Sequence, residues 1–214
     1  FYEPSTRTRS SFEVAAERLS ADVTNFTVST SSVVKGESVQ DTIATLQAMK
    51  VDYVIVRHYN SGLPNVIARH TNASVINAGD GAHAHPSQAL LDSFTIREMF
   101  PDIRGRRVLT VGDILHSRVA RSTSILMKRL GMEVAYLGPG SLVPRTEYSG
   151  IPRFSDFNEA FACKPDVIYL LRVQKERQDA PFFPSAREYN KIYGVTEERL
   201  KRISDEGLYI MHPG

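Results

Sequence analysis

Two arginines, Arg7 and Arg9, stand in the opening stretch "FYEPSTRTRSSFEVAAERL" at the point where a helix is expected to begin. A helix N-terminus carries the positive end of the macrodipole and unpaired N–H groups, so acids are the residues that belong there. A bound anion resolves the conflict. The hydroxyls of Ser5, Thr6 and Thr8, the N–H groups of the helix start and the planar fork of Arg7 together make a cage of phosphate size. A second reading stays open on these residues alone, in which Ser5 or Thr6 caps the helix and the arginines extend into solvent. The stretch is no Walker loop, because the required Gly and Lys are missing.

Further polar residues recur at the ends of apolar runs. Arg57 ends "VDYVIVR", "GDGAHAH" follows "SVIN", Asp113 ends "VLTVGD", Arg172 ends "VIYLLR" and His212 ends "LYIMH". A polar residue at the end of a buried strand commonly marks only where solvent begins. Five such endings rich in Arg, His and Asp point instead to one ligand site, because open parallel sheets bind ligands outside the carboxyl ends of their strands.

These residues need a frame, and the patterning supplies one. Short β-branched runs at 51–56, 74–77, 107–111, 133–137, 166–171 and 208–211 alternate with helical patterns, which predicts α/β units around parallel sheets. Phe12, Ala15, Ala16 and Leu19 make an apolar stripe at helical spacing. Ser38 with Asp41 forms a capping box that opens a helix reaching to Lys50. "HPSQALLDSFTIREMF" starts another helix with Pro86 in its first turn, and "SRVARSTSILMKRL" starts one that ends near Gly131. The polar stretch "REMFPDIRGRR", broken by Pro101 and Gly105, predicts a domain boundary near residue 100, giving domains 1–100 and 101–214. No repeat or low-complexity segment interrupts the pattern.

Composition narrows the partners. The chain has 214 residues, 42% of them hydrophobic, which is enough to bury a core. Its 26 basic and 24 acidic residues leave a net charge of +2, with no excess that would draw a nucleic acid or an anionic membrane, so anion binding must be local. Cys163 is the only cysteine, so there is no internal disulfide and no cysteine-based zinc cage. A reducing cytoplasm fits that usage. No apolar run approaches the roughly 18 residues of a membrane span, and no signal peptide precedes the first motif. The sequence begins without Met inside a motif and stops at "YIMHPG", and it reads as an interior fragment.

"FYEPSTRTRSSFEVA", "VVKGES", "GDGAHAHPSQALLD", "VGDILHSRVARS", "LLRVQKER" and "MHPG" closely resemble the motifs of aspartate carbamoyltransferase catalytic chains, in the family's order and across the whole sequence. Ser-Thr-Arg-Thr and His-Pro-x-Gln mark transcarbamoylases in general, and Arg-Val-Gln marks the aspartate branch. The resemblance implies a carbamoyl phosphate domain followed by an aspartate domain, the transcarbamoylase fold truncated at both ends. It also implies a homotrimer and a role in pyrimidine biosynthesis, with regulatory chains or a dihydroorotase as possible partners. Carried over residue by residue, it assigns Ser5, Thr6, Arg7, Thr8, Arg57 and Gln88 to carbamoyl phosphate. His85, with Arg57 and Thr8, holds the carbonyl oxygen. Ser31 and Lys35 match residues that a neighbouring subunit inserts into the site. Arg118, Arg172 and Gln174 match aspartate-binding positions, Lys35 serves both substrates, and Pro213 matches a backbone contact near the reacting amine.

The residue types suit that chemistry. Carbamoyl transfer needs donors on a developing oxyanion and cations on a leaving phosphate. Arg57, Thr8 and His85 supply the first, Arg7 and Lys35 the second, and no metal or cofactor is required. Arg118 and Arg172 can each take one carboxylate of a dicarboxylate acceptor as a forked pair, whereas an ornithine-type acceptor would call for acids near its second amine. Two other classes remain. His83 and His85 form an H-x-H pair that His70, His116 and His212 could complete as a zinc set, as in metal-dependent amidohydrolases. A non-catalytic module that binds phosphate ligands is the other. His58 and His70 are expected to be surface or structural, and Cys163 a small core residue.

Overall fold

The computed structural model describes residues 5–25, 38–172 and 185–213. Contacts between residues sort the chain into two compact units, Phe1–Ser87 and Gln88–Gly214.

The first unit is thin. Its first helix, α1 (Thr6–Arg18), is capped by Ser5, whose Oγ accepts from Thr8 N at 3.4 Å. Its first turn contains no acid and none of its residues is buried. The capping box that opens α2 (Val39–Ala48) is formed as expected: Ser38 Oγ accepts from Asp41 N, and Asp41 Oδ2 accepts from Ser38 N, each at 3.2 Å. Then β1 (Tyr53–His58), α3 (Leu63–Ala68) and β2 (Ser74–Asp80) make a βαβ unit with the strands parallel. Among the described residues its buried core is small, with Ile43, Val56 and Ile67 packed against Val54, Leu63 and Val75.

The register between the two strands is not uniform. Val56 faces Asn77, but His58 faces Asp80, so β2 carries one extra residue opposite Arg57. Such a bulge bends its strand and re-aims the side chains beside it. Relative to the expected spans, β1 begins and ends two residues later and β2 ends three residues later, so Arg57, expected just beyond β1, lies inside it.

The second unit runs α4 (Pro86–Met99), β3 (Arg107–Val111), α5 (Arg118–Arg129), β4 (Glu133–Leu137), α6 (Thr146–Ser149), β5 (Arg153–Phe154), α7 (Phe157–Ala162), β6 (Val167–Leu170), α8 (Ala186–Tyr193), α9 (Glu197–Asp205) and β7 (Tyr209–Met211). Its five described strands form a parallel sheet in the order β5-β4-β3-β6-β7. Successive strand residues enter opposite cores, as a period of two requires. Val108, Val167 and Tyr169 join Ile96, Met127 and Val134 on one face. Leu109, Val111 and Ile168 join Leu137, Phe157, Phe161 and Ile203 on the other.

The strands at 107–111 and 133–137 are found at the expected residues. The helices α3, α6 and α7 are six residues or shorter, too brief for a periodic signal, and the amphipathic α8 and α9 lie outside the helices that the pattern predicts. The polar stretch after α4 marks the end of that helix, while the division between compact units falls in its first turn. The reason is packing: Ile96 is fully buried with Val108, and Met99, Phe100 and Ile103 lean on the same cluster. Among the described residues no helix is long and apolar enough to cross a membrane.

Candidate active site

In the first unit three of the expected residues converge. Arg57 Nη1 lies 3.3 Å from Thr8 Oγ1 and 3.2 Å from His85 Nε2, joining residues 49 and 28 positions away in sequence. It also donates to the carbonyl of Ala78 at 3.3 Å, on the bulged segment of β2, so the irregular register helps to fix the guanidinium. Thr8 Oγ1 is in turn 2.8 Å from Ser5 Oγ, which links the cluster to the cap of α1. Arg7 and Arg9 are exposed beside that helix start. A guanidinium only donates, so His85 Nε2 accepts from Arg57 and the ring proton sits on Nδ1, facing Ser87 Oγ at 3.3 Å.

The loop that delivers His85 is held by a buried carboxylate to which the motifs assign no role. Asp80, 1% exposed, accepts from Gly62 N at 2.6 Å and from His83 Nδ1 at 2.8 Å. Gly81 follows at φ +50°, where an added Cβ would lie 2.6 Å from the carbonyl oxygen of Tyr59. Only glycine fits so close an approach. His58 is buried and accepts from Asn60 N at 2.9 Å, so it serves the same turn, whereas His70 is exposed and bonds the carbonyl of Val66.

In the second unit the strand order reverses between β3 and β6, the switch point where doubly wound sheets bind ligands. Asp113, fully buried just after β3, accepts from His116 N at 3.2 Å and His116 Nδ1 at 2.8 Å. This folds the turn that leads to α5, whose cap Ser117 accepts from Ala120 N and whose first residue, Arg118, is buried. Arg172 is exposed just after β6. Gly112 is needed between them, because a Cβ there would lie 2.7 Å from the carbonyl oxygen of Leu171 and 3.3 Å from Tyr189 Oη. Burial pushes the Tyr189 hydroxyl up to about 12, with the charge of Asp113 adding to it.

Gln88, in the first turn of α4, donates from Nε2 to Asp92 Oδ1 at 2.9 Å. The other oxygen of Asp92 accepts from Tyr169 Oη at 2.5 Å and Thr123 Oγ1 at 3.3 Å. Burial pushes this carboxyl up from the ordinary range, and the bonds from Tyr169, Gln88 and Thr123 pull it back down. The sequence carried one signal for Asp92, its position one helical turn after Gln88 on the same face. Nothing in it marked Tyr169, a strand residue that reads as plain core.

Ser31, Lys35 and Gln174 lie outside the described residues. Pro213 is half-buried and His212 exposed, directly after β7. Among the described residues no three of His, Cys, Asp and Glu gather in a metal-holding group. Cys163 is half-buried at the C-cap of α7, where its Sγ donates to the carbonyl of Ala160. A groove of about 570 Å³ near Cys163 lies where β3 and β4 begin, the end of the sheet opposite Asp113 and Arg172. Its Arg107 and Glu133 are bonded to each other at 3.0 Å.

Residues 1–98 match the family described as the aspartate/ornithine carbamoyltransferase carbamoyl-P binding domain. The whole chain is 95% identical, over 69% of that protein's length, to an aspartate carbamoyltransferase catalytic subunit of Akkermansia muciniphila. It is 56% identical, over 68% of the length, to the catalytic subunit of Endomicrobium trichonymphae. In three dimensions it resembles aspartate transcarbamoylase from Trypanosoma cruzi in complex with carbamoyl phosphate, with a TM-score of 0.86 and 30% identity, over 100% of this chain and 70% of that one. The class so defined is a carbamoyl-transferring enzyme. Within that class, the chain belongs to the aspartate carbamoyltransferase catalytic subunits.

Proposed function

We propose that this chain transfers the carbamoyl group of carbamoyl phosphate to the amine of L-aspartate, releasing phosphate and N-carbamoyl-L-aspartate. The observation that carries the reading is the convergence of Thr8, Arg57 and His85 beside a helix start that lacks acids. The amine attacks the carbonyl carbon, and its electron pair forms the new C–N bond. Negative charge gathers on the carbonyl oxygen, facing Arg57, Thr8 and His85, then returns as the C–O bond to phosphate breaks, and the departing phosphate takes the proton that the amine loses. Ser5, Thr6, Arg7 and Thr8, with the N–H groups of α1, hold the leaving phosphate. Gln88 binds the carbamoyl end. Arg118, Arg172 and Gln174 bind the two carboxylates of aspartate, with the backbone of Pro213 near the amine. The first domain thus serves carbamoyl phosphate and the second aspartate, in a cytoplasmic enzyme.

A carbamoyl-acceptor assay on the full chain tests this reading, with aspartate as the expected substrate. A preference for ornithine would overturn the choice of acceptor while leaving the carbamoyl phosphate site intact. Arg172→Ala should raise the aspartate KM by about 10-fold or more and lower kcat, because a misplaced amine rarely reaches attack distance. Carbamoyl phosphate affinity should stay close to normal, and unchanged aspartate kinetics would remove Arg172 from the site.

The active enzyme in this reading is a homotrimer in which Ser31 and Lys35 enter a neighbour's site. Mixing inactive Lys35→Ala and Arg7→Ala chains should then regenerate some intact sites. No recovered activity in verified mixed trimers would show that each chain builds its own site.

A further inference from the structure

A primary amide such as Gln88 can meet a ligand with either of two ends, an oxygen that accepts or a nitrogen that donates. The two ends are isosteric, so the surroundings must decide which one is presented. Here they do. Asp92 receives Gln88 Nε2 on one oxygen and the hydroxyls of Tyr169 and Thr123 on the other. These three donors suit an ionised carboxylate, which can only accept. The carboxylate therefore holds the nitrogen end of the amide, and planarity turns Oε1 away from it. Asp92 is itself fixed from two further elements, because Tyr169 belongs to β6 and Thr123 to α5, and all three residues are buried.

We propose that Asp92 is a positioning residue that sets the polarity of the Gln88 amide, so that its oxygen meets the –NH2 of the carbamoyl group and selects that group over isosteric acyl phosphates. The inference rests on the carbamoyl phosphate reading of the site. Its chemistry is specific. Carbamoyl phosphate carries N–H donors where acetyl phosphate carries a methyl group, and a buried acceptor facing a methyl is left unsatisfied. A site built to hydrogen-bond one group discriminates sharply against an analogue that lacks it. The phosphate half of the two compounds is the same, so Asp92 should have little influence on phosphate affinity.

Asp92→Asn provides the test, measured on the full chain. If the introduced amide oxygen keeps the Tyr169 and Thr123 hydroxyls, its nitrogen faces Gln88 and the Gln88 amide must turn over, presenting N–H groups to the ligand. The Kd of carbamoyl phosphate and its KM should rise by about 10-fold or more, as expected for a lost hydrogen bond with a buried donor left facing donors. Inorganic phosphate affinity should change by less than about two-fold, which also reports that the fold is intact. The preference for carbamoyl over acetyl phosphate should narrow by about the same factor as the carbamoyl loss. Adding Gln88→Glu to Asp92→Asn gives the introduced amide a carboxylate oxygen to donate to and returns an acceptor to the outward end, so carbamoyl phosphate affinity should recover at least in part.

Four results would overturn the proposal. One is an Asp92→Asn enzyme with normal carbamoyl phosphate affinity. Another is parallel loss of carbamoyl phosphate and inorganic phosphate binding, which would make Asp92 a structural residue. The third is a double variant no better than Asp92→Asn alone. Finally, a wild-type chain that does not bind carbamoyl phosphate would overturn the site reading and this inference with it. The first three leave that reading standing.

Discussion

The two units solve the problem of fixing a charged or polar side chain in opposite ways. In the second, Arg118 is itself buried and Arg172 follows a strand whose residues Val167, Ile168 and Tyr169 are fully enclosed, so hydrophobic layers on both sheet faces set their positions. In the first, only Ile43, Val56 and Ile67 form the described core, and the positions of Arg57 and His85 depend on polar geometry instead. A bulge, the Asp80 carboxylate and a left-handed glycine do what packing does in the other unit. Packing tolerates a lost hydrogen bond, whereas a small polar scaffold has little in reserve. The first unit should therefore be the more easily broken by single polar or glycine substitutions.

The largest effect is expected at the convergence point itself. Arg57→Ala removes contacts to Thr8, Ala78 and His85 together and should lower turnover by about 10³-fold. His85→Ala should cost about 10²-fold in kcat with much less change in phosphate binding. Equal loss of turnover and phosphate binding for His85→Ala would instead make it a binding or folding residue.

Glycines sharpen the contrast in stability. Gly81→Ala would force a Cβ to within 2.4 Å of Ser61 Oγ and 2.6 Å of the Tyr59 carbonyl, and should cost about 2–3 kcal/mol in denaturant unfolding. Gly105, at φ +72° in the second unit, has nothing within 4 Å of an added Cβ, so Gly105→Ala should cost about 1 kcal/mol through backbone conformation alone. Similar losses at both sites would mean that backbone conformation, and not the close approach, sets the cost at Gly81.

The mildest difference should emerge in alkali. Tyr136, Tyr169, Tyr189 and Tyr193 all have hydroxyl pKa values raised by burial, and all lie in the second unit. For Tyr189 the ordinary value of 10.0 moves to about 12. Between those values the unfolded chain has released the proton and the folded chain still holds it, so stability falls as pH rises through that window. Hydrogen exchange at about pH 10 to 11 should show protection lost first in the second unit, and Tyr189→Phe should flatten that decline. Uniform loss across both units would contradict this assignment.

The contrast also explains what was legible in the sequence. The second sheet announced itself because residues such as Val108, Leu109 and Val111 are apolar on both faces, and β3 and β4 appear at the residues that the pattern marks. Arg57, Thr8 and His85 could be named from motifs, but their convergence depends on contacts 49 and 28 residues apart, which no local pattern encodes. The bulge opposite Arg57 left no trace, since its signal is a register between strands rather than a residue type. Asp80 gave no such signal and Asp92 only its spacing from Gln88, for a related reason. A buried acid looks like any surface acid until its donors are placed around it.

The helix that begins at Thr6 is capped by Ser5, yet none of its residues is buried. Among the described residues, one link from it into the unit runs through Ser5 and Thr8 to Arg57, the group that a phosphorylated substrate would contact. A substrate anchored there would act as mortar as well as cargo. Occupancy at 100 times Kd would add about 2.7 kcal/mol to the folded state. The supply of substrate would then govern how long the enzyme survives, as well as how fast it works.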